Sequence, residues 1–188
     1  RQQTAQTQEG GLQSPDYLRQ RAIDKALYPA GDPTLRETTP QTISGLALDD
    51  VKAFYGSVFR PDLTTIVVIG DVTPADAQAT VEKWFGAWKT EGPKPLTELS
   101  AVPVNKPSST VVPDAQRVQD DATLIETLSI ERSNPDYYAL ELGDHVLGGG
   151  FYATRLFHDL RQEAGLVYTV SNQFRIGKTR ATYTVASV

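Results

Sequence analysis

His145 and His158 are the only two histidines in a sequence that contains no cysteine, so they bound what metal chemistry it can do. A protein zinc site generally takes three protein ligands at about 2.0–2.3 Å, and helical pairs come as His-x-x-x-His or its inverse. Here the two imidazoles stand thirteen positions apart on different predicted helices, with glycines between them. His158 is expected on the solvent side of its helix, opposite Phe157 and Leu160. This sequence is therefore expected to hold no metal, and no residue in it is assigned a catalytic role. Without cysteine there are also no disulfides, no iron–sulfur clusters and no thiol nucleophiles. A Gly-x-Ser-x-Gly elbow is missing. The paired acids Asp49-Asp50 and Asp120-Asp121 fall at a helix start and a turn, where carboxylates are structurally useful.

Two other groups could bind rather than react. Gly148, Gly149 and Gly150 lie between two predicted helices, where three residues without Cβ can bring bare amides against a ligand or simply end a helix tightly. No strand precedes them and no Lys-Ser/Thr follows, which weakens a phosphate-loop reading. Arg161 stands at the end of the second helix, and Tyr168 lies seven residues on, in the expected following strand. A guanidinium and a phenol meeting at such a corner would suit a peptide carbonyl or carboxylate through donated hydrogen bonds. Each also has a plain structural reading. Arg161 suits a helix C-terminus, and Tyr168 would share a strand face with Leu166, Val170 and Phe174.

The elements that must position these groups follow from periodicity. Residues 1–13 lack it and read as a disordered tail. Ser14-Pro15-Asp16 reads as a helix start, and Leu18, Ala22, Ile23 and Ala26 share one face of that helix. Residues 32–44 read as a Pro/Thr-rich loop. A helix carries Leu48, Val51, Tyr55 and Val58. Leu63–Ile69 is β-branched and bounded by Pro61 and Gly70, which predicts a central strand covered on both faces. Thr73-Pro74 opens the next helix, whose buried stripe is expected to be Ala77, Val81, Trp84, Phe85 and Trp88. Strands are expected at 108–113 and 122–130. Helices follow at Pro135 and over 153–164, the latter capped by Gly165. Strands are then expected over 166–174 and 181–188, joined by a Gly177-Lys178 turn.

The 188 residues, against roughly 150 per domain, suit one large domain or two small ones. Prolines 93, 95, 103 and 107 mark 89–107 as an interdomain linker, separating 14–88 from 108–188. The fold class this order implies is α+β, with helices packed on one face of a mostly antiparallel sheet. Open strand edges near 179–188 and the linker would invite pairing between copies, hence a homo-oligomer. The net charge of −5 argues against a nucleic-acid partner. No apolar run reaches the roughly 18 residues of a membrane span, and no signal peptide is evident. The chain starts without Met and reads as an excised or processed piece.

The run Leu147-Gly148-Gly149-Gly150-Phe151, then Thr154-Arg155-Leu156-Phe157, then Leu160-Arg161-Gln162-Glu163-x-Gly165-Leu166-x-Tyr168-x-Val170 resembles the insulinase/pitrilysin-type zinc protease superfamily, peptidase family M16. Upstream, Arg60-Pro61, an apolar strand, Gly70-Asp71 and Phe85-Gly86-x-Trp88 follow in family order, so the resemblance covers roughly residues 25–188. It implies LuxS/MPP-like clamshell domains, here the end of one and the start of the next. It also implies zinc held elsewhere by an inverted His-x-x-Glu-His helix that this sequence lacks. Under it, Arg161 and Tyr168 would bind the substrate backbone and Gly148–Gly150 would line the chamber wall. The chain would then be a non-catalytic, substrate-binding region of a zinc metalloendopeptidase, with a catalytic M16 domain in cis or in trans and a peptide or protein as substrate. The alternative is a structural or assembly module of such a protein. Bacterial relatives are often exported, so the resemblance favours the periplasm. Gly31-Asp32-Pro33 departs from the family's His-Pro-aromatic segment, consistent with a non-catalytic half.

Overall fold

The computed structural model describes residues 1–187 and divides the chain into two compact units, one of Arg1–Gln2 with Gln41–Thr97, the other of Gln3–Pro40 with Glu98 onward. The first unit carries α4 (Leu48–Val58) and α5 (Pro74–Phe85). Thr73 caps α5 as the Thr-Pro-x-Asp order predicts: its Oγ1 accepts from the Asp76 amide at 3.2 Å and donates to the Asp76 carboxylate at 2.6 Å. Arg60 is buried in this unit. It pairs with Asp62 at 2.8 Å and donates to the carbonyls of Glu91 and Gly92 at 3.2 and 3.1 Å.

Within the expected covered strand at Leu63–Ile69, Leu63 closes a 3₁₀ turn (Pro61–Leu63), residues 64–69 join no ladder, and Ile69 is 92% exposed. A ladder requires a neighbouring strand, and none lies within this unit among the described residues. The apolar stripe of α5 is only partly covered: Ala77, Val81 and Trp88 are half-buried, while Trp84 is 71% exposed.

The second unit holds α1 (Gln2–Gly11), α2 (Pro15–Leu27) and a three-stranded antiparallel sheet. The polar segment 1–13, read as a disordered tail, instead forms α1 with Ala5 buried. Ser14 caps α2, accepting from the Tyr17 amide at 3.3 Å. The 32–44 loop contains a 3₁₀ turn at Pro33–Leu35 and a short helix, α3 (Pro40–Gly45).

The strands β1 (Ala122–Leu128), β2 (Val170–Ile176) and β3 (Ala181–Ser187) lie in the order β1-β3-β2. Because β3 is central, the free edges belong to β1 and β2 and not to residues 179–187, which removes the premise for edge pairing between copies there. Val188 lies outside the described residues. Residues 108–113, expected as a strand, join no ladder, and β2 starts at Val170 rather than at Leu166.

α6 (Tyr137–Asp144) continues as a π-helical segment, His145–Gly149, and a second π-helical stretch, α7 (Phe157–Glu163), stands where a longer α-helix was expected. Both pack on β2, whose Val170 and Asn172 point inward. The register pairs Asn172 with Val185 and Val185 with Leu124, so Thr123 lies on the opposite face. Arg19 of α2 donates to the Thr123 hydroxyl at 3.3 Å, so helices cover both faces of the sheet rather than one. Fold class is α+β.

Arg180, at the entry to β3, fastens this unit. Its guanidinium meets the Asp32 carboxylate at 2.8 and 3.1 Å, donates to the Ser100 carbonyl at 2.8 Å, and lies 5.7 Å from the Tyr28 ring centroid. That bidentate bond holds the Asp32 carboxyl at about 2, below its ordinary 3.8. The folded pKa is depressed, so the pair's stabilisation is complete above pH about 4 and fades as pH falls toward 2. Urea titrations across that window should show it, with Asp32→Asn lowering stability at pH 7 by about 1–3 kcal/mol and flattening the acid limb.

Candidate functional site

α7 ends where Gly165 adopts φ +62°, a left-handed conformation that suits a residue without Cβ. The amide of Ala164 bonds back to the Asp159 carbonyl at 3.0 Å and that of Leu166 to the Leu160 carbonyl at 2.9 Å. This reversal returns the chain along α7 and delivers Tyr168 to Arg161. The guanidinium carbon stands 5.3 Å from the Tyr168 ring centroid, and Nη1 donates to the Val167 carbonyl at 3.1 Å. Cation–π contact of this kind contributes about 0.5–1 kcal/mol at an exposed site. It holds the guanidinium plane against the ring while both side chains face solvent, Tyr168 at 71% exposure. Tyr168 precedes β2 and is not on a packed strand face, contrary to the sharing with Leu166, Val170 and Phe174 expected from alternation.

The three glycines divide. Gly148 is buried, and a Cβ there would stand 2.5 Å from Asn172 Oδ1 and 2.9 Å from Leu156 Cδ1. Gly149 is exposed beside the Asp144 carboxylate, and Gly150 adjoins the His145 ring. Burial, with Glu141 nearby, pushes the Asp144 carboxyl up. Asn172, 7% exposed, donates to the Tyr183 hydroxyl at 2.8 Å. Its Oδ1 is buried with no partner among the described residues. Asn172 was not singled out from sequence. Its signal was a polar residue at an inward position between Val170 and Phe174.

Both π-helical stretches fall on the sequence-chosen residues, Gly148 and Gly149 in one and Arg161 in the other. Widened turns of this kind are infrequent and recur at functional sites.

His158 Nδ1 lies 2.9 Å from Asp159 and Nε2 3.6 Å from Glu163, carboxylates that raise its pKa, the Asp159 hydrogen bond most of all. That arrangement makes His158 a surface ion-pair partner. Among the described residues no three His, Cys, Asp or Glu side chains gather as a ligand set.

A family model described as the peptidase M16 inactive domain matches residues 45–188. The chain belongs to that family. It is 28% identical over 162 residues to an uncharacterized zinc protease, YmxG, of Bacillus subtilis, matching 84% of this chain and 37% of that protein. An uncharacterized zinc protease of Streptomyces coelicolor, SCO5738, is 23% identical over 135 residues, matching 70% of this chain and 29% of the relative. A crystal structure of a peptidase M16 inactive domain from Pseudomonas fluorescens superposes with a TM-score of 0.75 at 26% identity, covering 98% of this chain and 44% of that one. A protease from Helicobacter pylori shares the fold, with a TM-score of 0.66 at 18% identity over 79% of this chain and 36% of its own. The chain thus spans less than half the length of these relatives. It is a non-catalytic M16 region of the kind found in zinc-protease-like proteins.

Gly148→Ala should destabilise the M16 region by about 1–3 kcal/mol, because the methyl meets a buried amide. Adding Asn172→Ala should recover part of that loss, and a coupling energy from a four-point urea cycle measures it.

Proposed function

We propose that this M16 region holds an extended peptide for a catalytic domain that carries the zinc. The observation that supports this best is the Arg161–Tyr168 pair, preassembled by the Gly165 reversal and exposed to solvent. A peptide backbone offers carbonyl acceptors at regular spacing. Arg161 spends one N–H on Val167 and keeps others to donate to such a carbonyl, while the Tyr168 hydroxyl supplies a second donor with little side-chain freedom to lose. Two fixed donors set the register of an extended chain and restrict its slide, which is the positioning that an endopeptidase needs. Gly149, exposed at the glycine turn, offers backbone without a side chain in the way, and Gly148 and Gly150 hold that turn against Asn172 and His145.

The family to which the chain belongs implies a catalytic partner domain, in the same polypeptide or in a second one, and zinc belongs to that domain. The relatives named zinc proteases support the reading.

In the full-length protein, Arg161→Ala with Tyr168→Phe should lower kcat/KM for peptide hydrolysis by about tenfold or more, the scale of one or two lost charge-assisted hydrogen bonds. Zinc content should stay unchanged by elemental analysis. Unchanged turnover in the double variant would refute the holding role and favour an assembly module.

A further inference from the structure

A cavity of about 830 Å³ opens in the second unit along the free edge of β1, on the side of the sheet away from β2. Three elements enclose it: α2, with Ala22, Ile23 and Ala26; the segment 107–112; and β1 itself. Its origin is a parting of two chains that begin together. At the far end of β1, Asn105 behaves as a partial strand neighbour. Its amide donates to Thr127 Oγ1 at 2.8 Å, and its Oδ1 accepts from the Thr127 amide at 2.8 Å. Beyond Asn105, residues 107–112 form the opposite wall of the cavity and do not ladder with β1.

The Thr127 bond fixes which backbone groups point outward. In an antiparallel ladder alternate residues direct both N–H and C=O away from the partner. Thr127, opposite Thr182, does so. Ile125, opposite Thr184, and Thr123, opposite Ala186, must do the same. Their amides and carbonyls therefore face the cavity. A strand of about five residues, at roughly 3.3 Å each, matches the edge from Ala122 to Glu126.

Charge narrows the occupant. Asp16, Asp114, Asp120, Asp121 and Glu126 line the cavity against only Arg19 and Arg117. Arg117 is taken up by Asp121 and Asp114, and Arg19 by Asp16 at 3.7 Å. Asp120 and Glu126 are thereby left to face an incoming cation.

We propose that the β1 edge is a second peptide-binding groove, taking an extended, lysine- or arginine-bearing segment by strand addition at Thr123 and Ile125. It is independent of the Arg161–Tyr168 pair, which precedes β2 at the other edge of the sheet. Main-chain bonds would supply affinity and the acidic rim the preference for basic sequence.

The probe is acetyl-Thr-Lys-Val-Lys-Val-Thr-amide, added to the full-length protein and followed by hydrogen exchange of the segment containing Thr123 to Glu126. Exchange there should slow at least tenfold on binding. A peptide N-methylated at both valines should not bind, and Asp120→Lys with Glu126→Lys should weaken binding about tenfold, with a smaller salt dependence. Slow exchange at Thr123 and Ile125 before peptide is added would overturn the proposal, since the chain's own 107–112 segment or another part of the protein would then occupy the edge. Equal binding of the N-methylated or the all-glutamate analogue would overturn it as well. Loss of Arg161 and Tyr168 should leave this binding intact, so the two readings fail separately.

Discussion

One guanidinium ties together segments of the second unit that are far apart in sequence. Arg180 reaches Asp32 and Tyr28 on one side and the Ser100 carbonyl on another, while its neighbour Thr179 donates to the Leu99 carbonyl at 2.7 Å and Lys178 pairs with Glu98. The Arg180 and Asp32 side chains are only 16% and 6% exposed. A half-buried bidentate pair of this kind stabilises only while both charges and their hydrogen bonds are present, and removing one partner strands the other. The β2–β3 hairpin, and with it the sheet on which α6 and α7 pack, depends on that fastening.

The proposed peptide-holding site is a consequence of how that sheet begins. β2 has to start at Val170, because Val170 and Asn172 are the residues that face the helices. The stretch before it is then free of the ladder. Gly165 turns that stretch back along α7, so Tyr168 comes to rest on Arg161 instead of entering the core. Rigidity on one side of Val170 and exposure on the other give a pair of donors with defined geometry. Gly148 supports the same layer from the helix side, where its lack of a Cβ lets the turn close on Asn172.

Helix starts were legible because a cap is a local event. Ser14 and Thr73 each bond an amide three residues on, and no distant partner is needed. Gly165 was legible for the same reason. Strand order was not. The β-branched runs at 63–69 and 108–113 have strong strand character, yet neither joins a ladder, because a strand is completed only by a neighbour. α1 was hidden by its polar composition, since most of its faces meet water and only Ala5 is buried.

Residue order alone carried the α+β class and named Arg161, Tyr168 and the glycine run as candidates. All of these rest on local spacing or on the residue types present. Tertiary structure decided which strand is central, which edges stay open, and that Arg161 and Tyr168 touch while Gly148 turns inward to Asn172. Those outcomes depend on contacts between residues distant in sequence, whose loop-closure cost and packing gain no window of neighbouring residues records.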